Sequence, residues 1–199
     1  MKLLIKRGPL SASRLLTIDP LYIELEESLA NIRFTKEDIE GIRYGVRHYH
    51  FYIIPVGRTY NIEIRDSQGK IMLIRMHTFF GINNKKIEKL FIDIYNKIHE
   101  AFFNDMAFHY AQLLNGGLNY NLAGALLTHE GVILKKDGSL IPWLRIGLSS
   151  QYRSCSIYDV SDPLHYRSFD YWQDWNASLL HSIVDYKMKS ITYELLSKL

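Results

Sequence analysis

Cysteine occurs once, at Cys155. One thiol cannot close an intrachain disulfide or assemble a cysteine-based zinc site. A catalytic thiol needs a neighbouring base and the sequence nominates none, so Cys155 reads as a small apolar residue on a strand. Long apolar runs are also missing: no stretch approaches the about 18 residues that span a bilayer. The opening "MKLLIKRGPLSASRLL" has only a short apolar run before Lys6 and Arg7, too short for a signal-peptide core. These absences set the expectation of a cytoplasmic protein. Charge of one sign is scarce. Lys and Arg number 24 against 21 Asp and Glu, a net +3, and the surplus precedes about residue 115. Nucleic-acid binding leaves a denser basic footprint, so nucleic acid is not an expected partner. The patterns GxxxxGK[ST], GxSxG and HExxH are absent. No carboxylate pair is singled out by position. No catalytic residue and no cofactor is therefore expected; the alternative of an enzyme requires a site assembled from distant histidines and carboxylates that the sequence does not single out.

What is present is apolar and aromatic. Hydrophobic residues make up 47% and aromatics 13%, with 23% charged, the balance of a packed chain rather than a disordered one. A length of 199 residues admits one large domain or two small ones. "LYIELEE" reads as a strand, and "DIEGIRYGVRHYHFYIIPVG" as aromatic-rich strand structure with bends at Gly41 and Gly45. In "RTYNIEIRDSQGKIMLIRMH", Tyr60, Ile62 and Ile64 alternate with polar residues and "DSQG" forms a tight turn. This predicts a β-hairpin. After Gly81 the period changes to steps of three and four, predicting a helix over about residues 84–115, with a break at Asn104–Asp105. The order then repeats: short strands through "LAGALLTHEGVILKKDGSLIPWLRIGLSS", an alternating "QYRSCSIYDV", a turn at "SDPL", the strand "HYRSFDYW", and a helix over about 174–198 capped by Asp174 or Asn176. Strands then helix, twice, divide the chain at the Gly/Asn-rich "LLNGGLNYN" into residues 1–117 and 118–199.

In the second half, "LTHEGVILKKDGSLIPWLRIG" followed by "DYWQDWNASLLHSIV" resembles bacterial pleckstrin-homology-like (PH-like) proteins. Glu130-Gly131, Ile141-Pro142-Trp143, Ile146 and Trp175 carry the likeness. "FTKEDIEGIRYG" with the following hairpin looks like the same unit in the first half. The resemblance implies an α+β, mainly antiparallel fold of two strongly bent sheets or barrels, each followed by a long C-terminal helix. The second half has few residues for seven full strands, which leaves room for one to be absent or lent by its neighbour. The resemblance also implies a non-enzymatic interaction or scaffolding module, since PH-like domains bind rather than catalyse.

Candidate contact residues follow. Read as a strand, "LIPWLRIG" points Leu144 and Ile146 inward and Trp143 and Arg145 outward or toward a neighbour. Trp143 and Arg145 thus serve either domain packing or a partner surface, where Trp and Arg are enriched. Lys135 and Lys136 sit in a hairpin, open to a solvated-turn reading or to contact with an anionic lipid or phospho-ligand. His48 and His50 share a strand face, but no third ligand stands at a recognisable spacing, so no metal is expected. The last helix stays apolar at Met188, Ile191 and Leu195 toward its end. This predicts packing across domains or between two copies of the chain, hence a protein partner or a homodimer.

Overall fold

A computed structural model describes residues 1–8, 11–27, 30–80, 84–134 and 138–197, excluding the side chains of residues 30, 55, 194 and 195. The chain is α+β with antiparallel strands in four sheets, and it divides into compact units at Asn104/Asp105. That division falls inside a helix, ahead of the Gly/Asn-rich segment that composition favours as the boundary.

The first unit begins with a four-stranded meander of β1 (Lys2–Lys6), β2 (Ser13–Ile18), β3 (Tyr22–Glu27) and β4 (Ala30–Thr35). A three-stranded meander follows: β5 (Ile39–Phe51), β6 (Ile54–Asp66) and β7 (Ile71–Phe79). The predicted hairpin is the β6–β7 pair. Where β1 meets β7, the His77 N–H donates to the Arg7 carbonyl at 2.6 Å and Arg14 donates to the Arg75 carbonyl at 2.8 Å. Neither contact extends into a ladder among the described residues, so of the two forms expected, bent sheets or barrels, the closed barrel does not occur there.

Tyr60, Ile62 and Ile64 of β6 are buried as their alternation predicts, but so are Thr59, Asn61 and Glu63 between them. The second face is sealed by polar side chains from the adjoining strands. Arg43 Nε donates to Glu63 at 2.8 Å, Arg75 Nε donates to Asn61 at 2.8 Å, and Thr59 Oγ1 lies 2.6 Å from His77 Nδ1. Burial of polar groups is tolerable when each finds such a partner.

α1 (Asn84–Ile98) lays Phe91, Ile94 and Ile98 against this sheet, spaced as one helical face requires. The Phe91 ring is centred 5.4 Å from Tyr60, and Tyr95 is 4.2 Å from Tyr44. Instead of breaking at Asn104–Asp105, the helix takes on a wider π-type turn over His99–Phe103 and continues as α2 (Asn104–Asn115). The extra residue in that turn changes the phase of the apolar stripe, which fits the burial of the adjacent pair Phe102 and Phe103.

The second unit comprises α2, two further meanders and α3 (Ala177–Leu196). Its strands are β8 (Tyr120–Leu122), β9 (Ala125–Leu127), β10 (Gly131–Leu134), β11 (Leu140–Pro142), β12 (Ile146–Ser150), β13 (Ser154–Asp159) and β14 (Asp162–Asp170), paired as four and three. Seven strands fit because most are short. Cys155 is buried on β13 as expected, and burial pushes its thiol up to about 11. Asn176 opens α3: its carbonyl accepts the Leu180 N–H at 2.8 Å. The Asp174 carboxylate instead accepts the Asp170 N–H at 2.9 Å, closing the preceding loop. Among the described residues no helix is long and apolar enough to cross a membrane.

Candidate functional site: an apolar hairpin tip with a cationic collar

β5 and β6 are long strands of 13 residues each, whereas β7 stops at Phe79 opposite Gly57. Phe80 follows β6 as far as Val56, so among the described residues the β5–β6 hairpin continues two residues further, about 7 Å at strand spacing. Phe51 pairs with Ile54 across the end, and Tyr52 and Ile53 form the turn. Phe51 is 65% exposed, Tyr52 88% and Ile53 93%. Hairpin turns with positive φ are ordinarily filled by Gly, Asn or Asp, yet Tyr52 occupies this one at φ 54. At the same end the Phe80 N–H donates to the Val56 carbonyl at 2.8 Å, and Phe80 is 74% exposed. Large apolar side chains clustered at one end of a unit mark a contact surface more strongly than scattered ones.

Behind the tip the residue types change in order. His50 and Tyr49 come next, then His48 opposite Arg58, then Arg47 opposite Thr59. Tyr49, Gly57 and Phe79 form one row across the three strands and, with His77, border a cavity of about 370 Å³. Only glycine fits in the middle of that row, because a Cβ on Gly57 would lie 2.3 Å from the Thr78 carbonyl oxygen. Thr59 Oγ1 links Tyr49 at 3.3 Å to His77 at 2.6 Å. Burial holds the His77 imidazole below its usual range, reinforced by Arg75, Arg7 and Arg14.

The charge around this end is one-sided. No carboxylate occurs from Gly41 to Ile62 or from Ser67 to Ile87. Arg58 reaches Glu88 on α1 at 3.5 Å, which brings the start of that helix to the base of the hairpin. Lys85, Lys86 and Lys89 are exposed there, and the first turn of α1 holds no acidic residue. Helix N-termini favour acidic side chains and disfavour basic ones, so this choice of residues does not serve the helix.

Of the residues singled out from sequence, His48 and His50 fall on this hairpin, and the candidate contact residues belong to the second half of the chain. Lys135 and Lys136 fall outside the described residues. Trp143 is not outward-facing: a turn over Trp143–Arg145 interrupts the expected strand, buries Trp143 and leaves Leu144 73% exposed. The Trp143 indole N–H donates to the Thr128 carbonyl at 3.1 Å. Arg145 is half-exposed and grips Asp159, Nε to Oδ1 at 3.1 Å and Nη2 to Oδ2. Met188 and Ile191 are partly exposed on α3, and the Leu195 side chain is outside the described set. Among the described residues no three His, Cys, Asp or Glu converge as a metal site; His48 and His50 stack with ring centroids 6.4 Å apart.

The Arg145–Asp159 pair has a pH consequence. Hydrogen bonding from Arg145, then from Ser161, holds the Asp159 carboxyl down at about 2, against roughly 3.9 for a free side chain. The folded state thus binds fewer protons than the unfolded one, so stability rises with pH across that interval. The contribution is complete above about pH 4 and is lost as pH falls toward 2. In acid-unfolding titrations, Asp159→Asn is expected to be less stable at neutral pH and to lose part of this slope. An unchanged titration would show that the pair contributes nothing.

Comparison with protein-family models, with curated proteins and with solved structures gave no match.

Proposed function

We propose that the chain is a tandem of two PH-like units acting as a non-enzymatic, cytoplasmic interaction module, and that it docks on its target through the β5–β6 tip. The fold part of this reading is supported by the recurring order: four-stranded meander, three-stranded meander, helix. The docking part rests on one observation, the projection of Phe51, Tyr52 and Ile53 into solvent beside Phe80. Burying such side chains against a target releases roughly 25 cal/mol per Å² of apolar area.

The test is a photo-crosslinking residue at position 52, compared with one at Gln68 in the exposed β6–β7 turn at the hairpin's other end. In cells expressing the full chain, position 52 is expected to give a discrete adduct, protein or lipid, and position 68 none. Equal or absent labelling at both positions removes the docking reading.

A further inference from the structure

We infer that the target of the tip is the surface of an anionic phospholipid bilayer; this rests on the docking reading above and names its occupant. The hairpin is layered along its length as a lipid interface is. Ile53, Tyr52, Phe51 and Ile54 come outermost, Tyr49 and the histidines behind them, and Arg47 and Arg58 behind those. Apolar groups suit the acyl boundary, aromatics with a polar edge suit the headgroup level, and cations suit the phosphates. The projection of about 7 Å falls within the depth to which interfacial segments sink, about 5–10 Å.

The shape also favours lipid. The four outermost apolar residues form a convex point, and the cavity bordered by Tyr49, Gly57, His77 and Phe79 lies behind them rather than at the tip itself. A bilayer deforms around such a point. Charge complementarity completes the match: Arg47, Arg58, Lys85, Lys86 and Lys89 stand at this end against Glu88, with acid-free sequence on both sides of the hairpin. The lysines at the start of α1, unfavourable for the helix dipole, gain a favourable field near a negative surface. Each cation near such a surface strengthens binding about fivefold.

The experiment is cosedimentation of the full chain with phosphatidylcholine vesicles, with and without phosphatidylserine. Serine-lipid vesicles are expected to bind at least about tenfold more tightly, with the advantage shrinking as salt rises from about 0.1 M to about 0.5 M. Phe51→Ser with Ile53→Ser is expected to weaken binding at least about tenfold, and Lys85→Glu with Lys86→Glu about twentyfold or more. Both pairs are exposed, so circular dichroism should be unchanged. A second reading uses the burial of Cys155: Tyr52→Cys carries a polarity-sensitive dye selectively, and its emission should shift to the blue on serine-lipid vesicles. Indifference to phosphatidylserine, or binding that survives both double variants, overturns the inference. If vesicles fail while position 52 crosslinks to protein, or to a second copy of the chain, the lipid target falls and the docking reading stands.

Discussion

Gly131→Ala is expected to destabilise the second unit by at least about 3 kcal/mol, the upper range of overpacking effects. β10 passes β11 so closely that a Cβ at position 131 would lie 2.0 Å from the Ile141 carbonyl oxygen and 2.9 Å from the Pro142 Cα. Both obstacles are backbone, so no side-chain rotation relieves the clash; the strands must part. Parting them breaks the pairing of Gly131 with Pro142 and of Val132 with Ile141. It also disturbs the Thr128 hydroxyl, which accepts the Gly131 N–H at 3.1 Å and donates to the Gly131 carbonyl at 3.0 Å. All three tryptophans, Trp143, Trp172 and Trp175, belong to this unit. Their fluorescence during thermal unfolding should show a midpoint lower by at least about 10 °C. Gly116→Ala, where a Cβ meets nothing closer than 3.4 Å, is the control. A Gly131→Ala midpoint equal to that control would mean that the strands separate at no cost.

Trp143→Ala is expected to cost about 3–5 kcal/mol, the usual range for emptying a large buried aromatic site. The ring is 6% exposed, and its loss also leaves the Thr128 carbonyl without the indole N–H. Trp143→Phe separates the two contributions. It retains most of the apolar contact and loses the hydrogen bond, so it should forfeit roughly 1–3 kcal/mol. Urea unfolding followed by circular dichroism measures both. If Trp143→Ala lost less than about 1 kcal/mol, the ring would be behaving as a surface residue rather than a buried one. Trp143 and Gly131 share Thr128 as a neighbour, so the double variant should lose less than the sum of the singles.

Trp143 also shows why the sequence could be read only in part. Alternation assigns it a face, but assumes that the strand continues. A turn of three residues at Trp143–Arg145 shifts the pattern, so that Trp143 turns in and Leu144 turns out. Nothing in "IPWLRIG" announces that turn beyond Pro142. The β6–β7 hairpin was legible because its turn contains Gly69, at φ 84, between two clean alternations. The β5–β6 hairpin hid itself because Tyr52 and Ile53 are strand-forming types in a turn position. "HYHFYII" then reads as uninterrupted strand, with no sign of its exposed end. The absence of acids on both sides was readable, but it gains meaning only once α1 is seen to start beside Arg58. The long helix was foreseen from its spacing. Its π-type turn was not, because Phe102 and Phe103 register as one apolar position too many rather than as a change of phase.

Both faces of β6 are enclosed, and this constrains the molecule well away from the ion pairs themselves. When only one side of a strand is covered, slipping by one residue exchanges oil for water once. Here a slip would expel Tyr60, Ile62 and Ile64 and at the same moment thrust Thr59, Asn61 and Glu63 among hydrocarbon. Alignment is thus guarded from two directions, and Phe51 stays opposite Ile54. The aim of the outermost side chains is set by salt-bridged carboxylate and amide groups hidden several residues behind them.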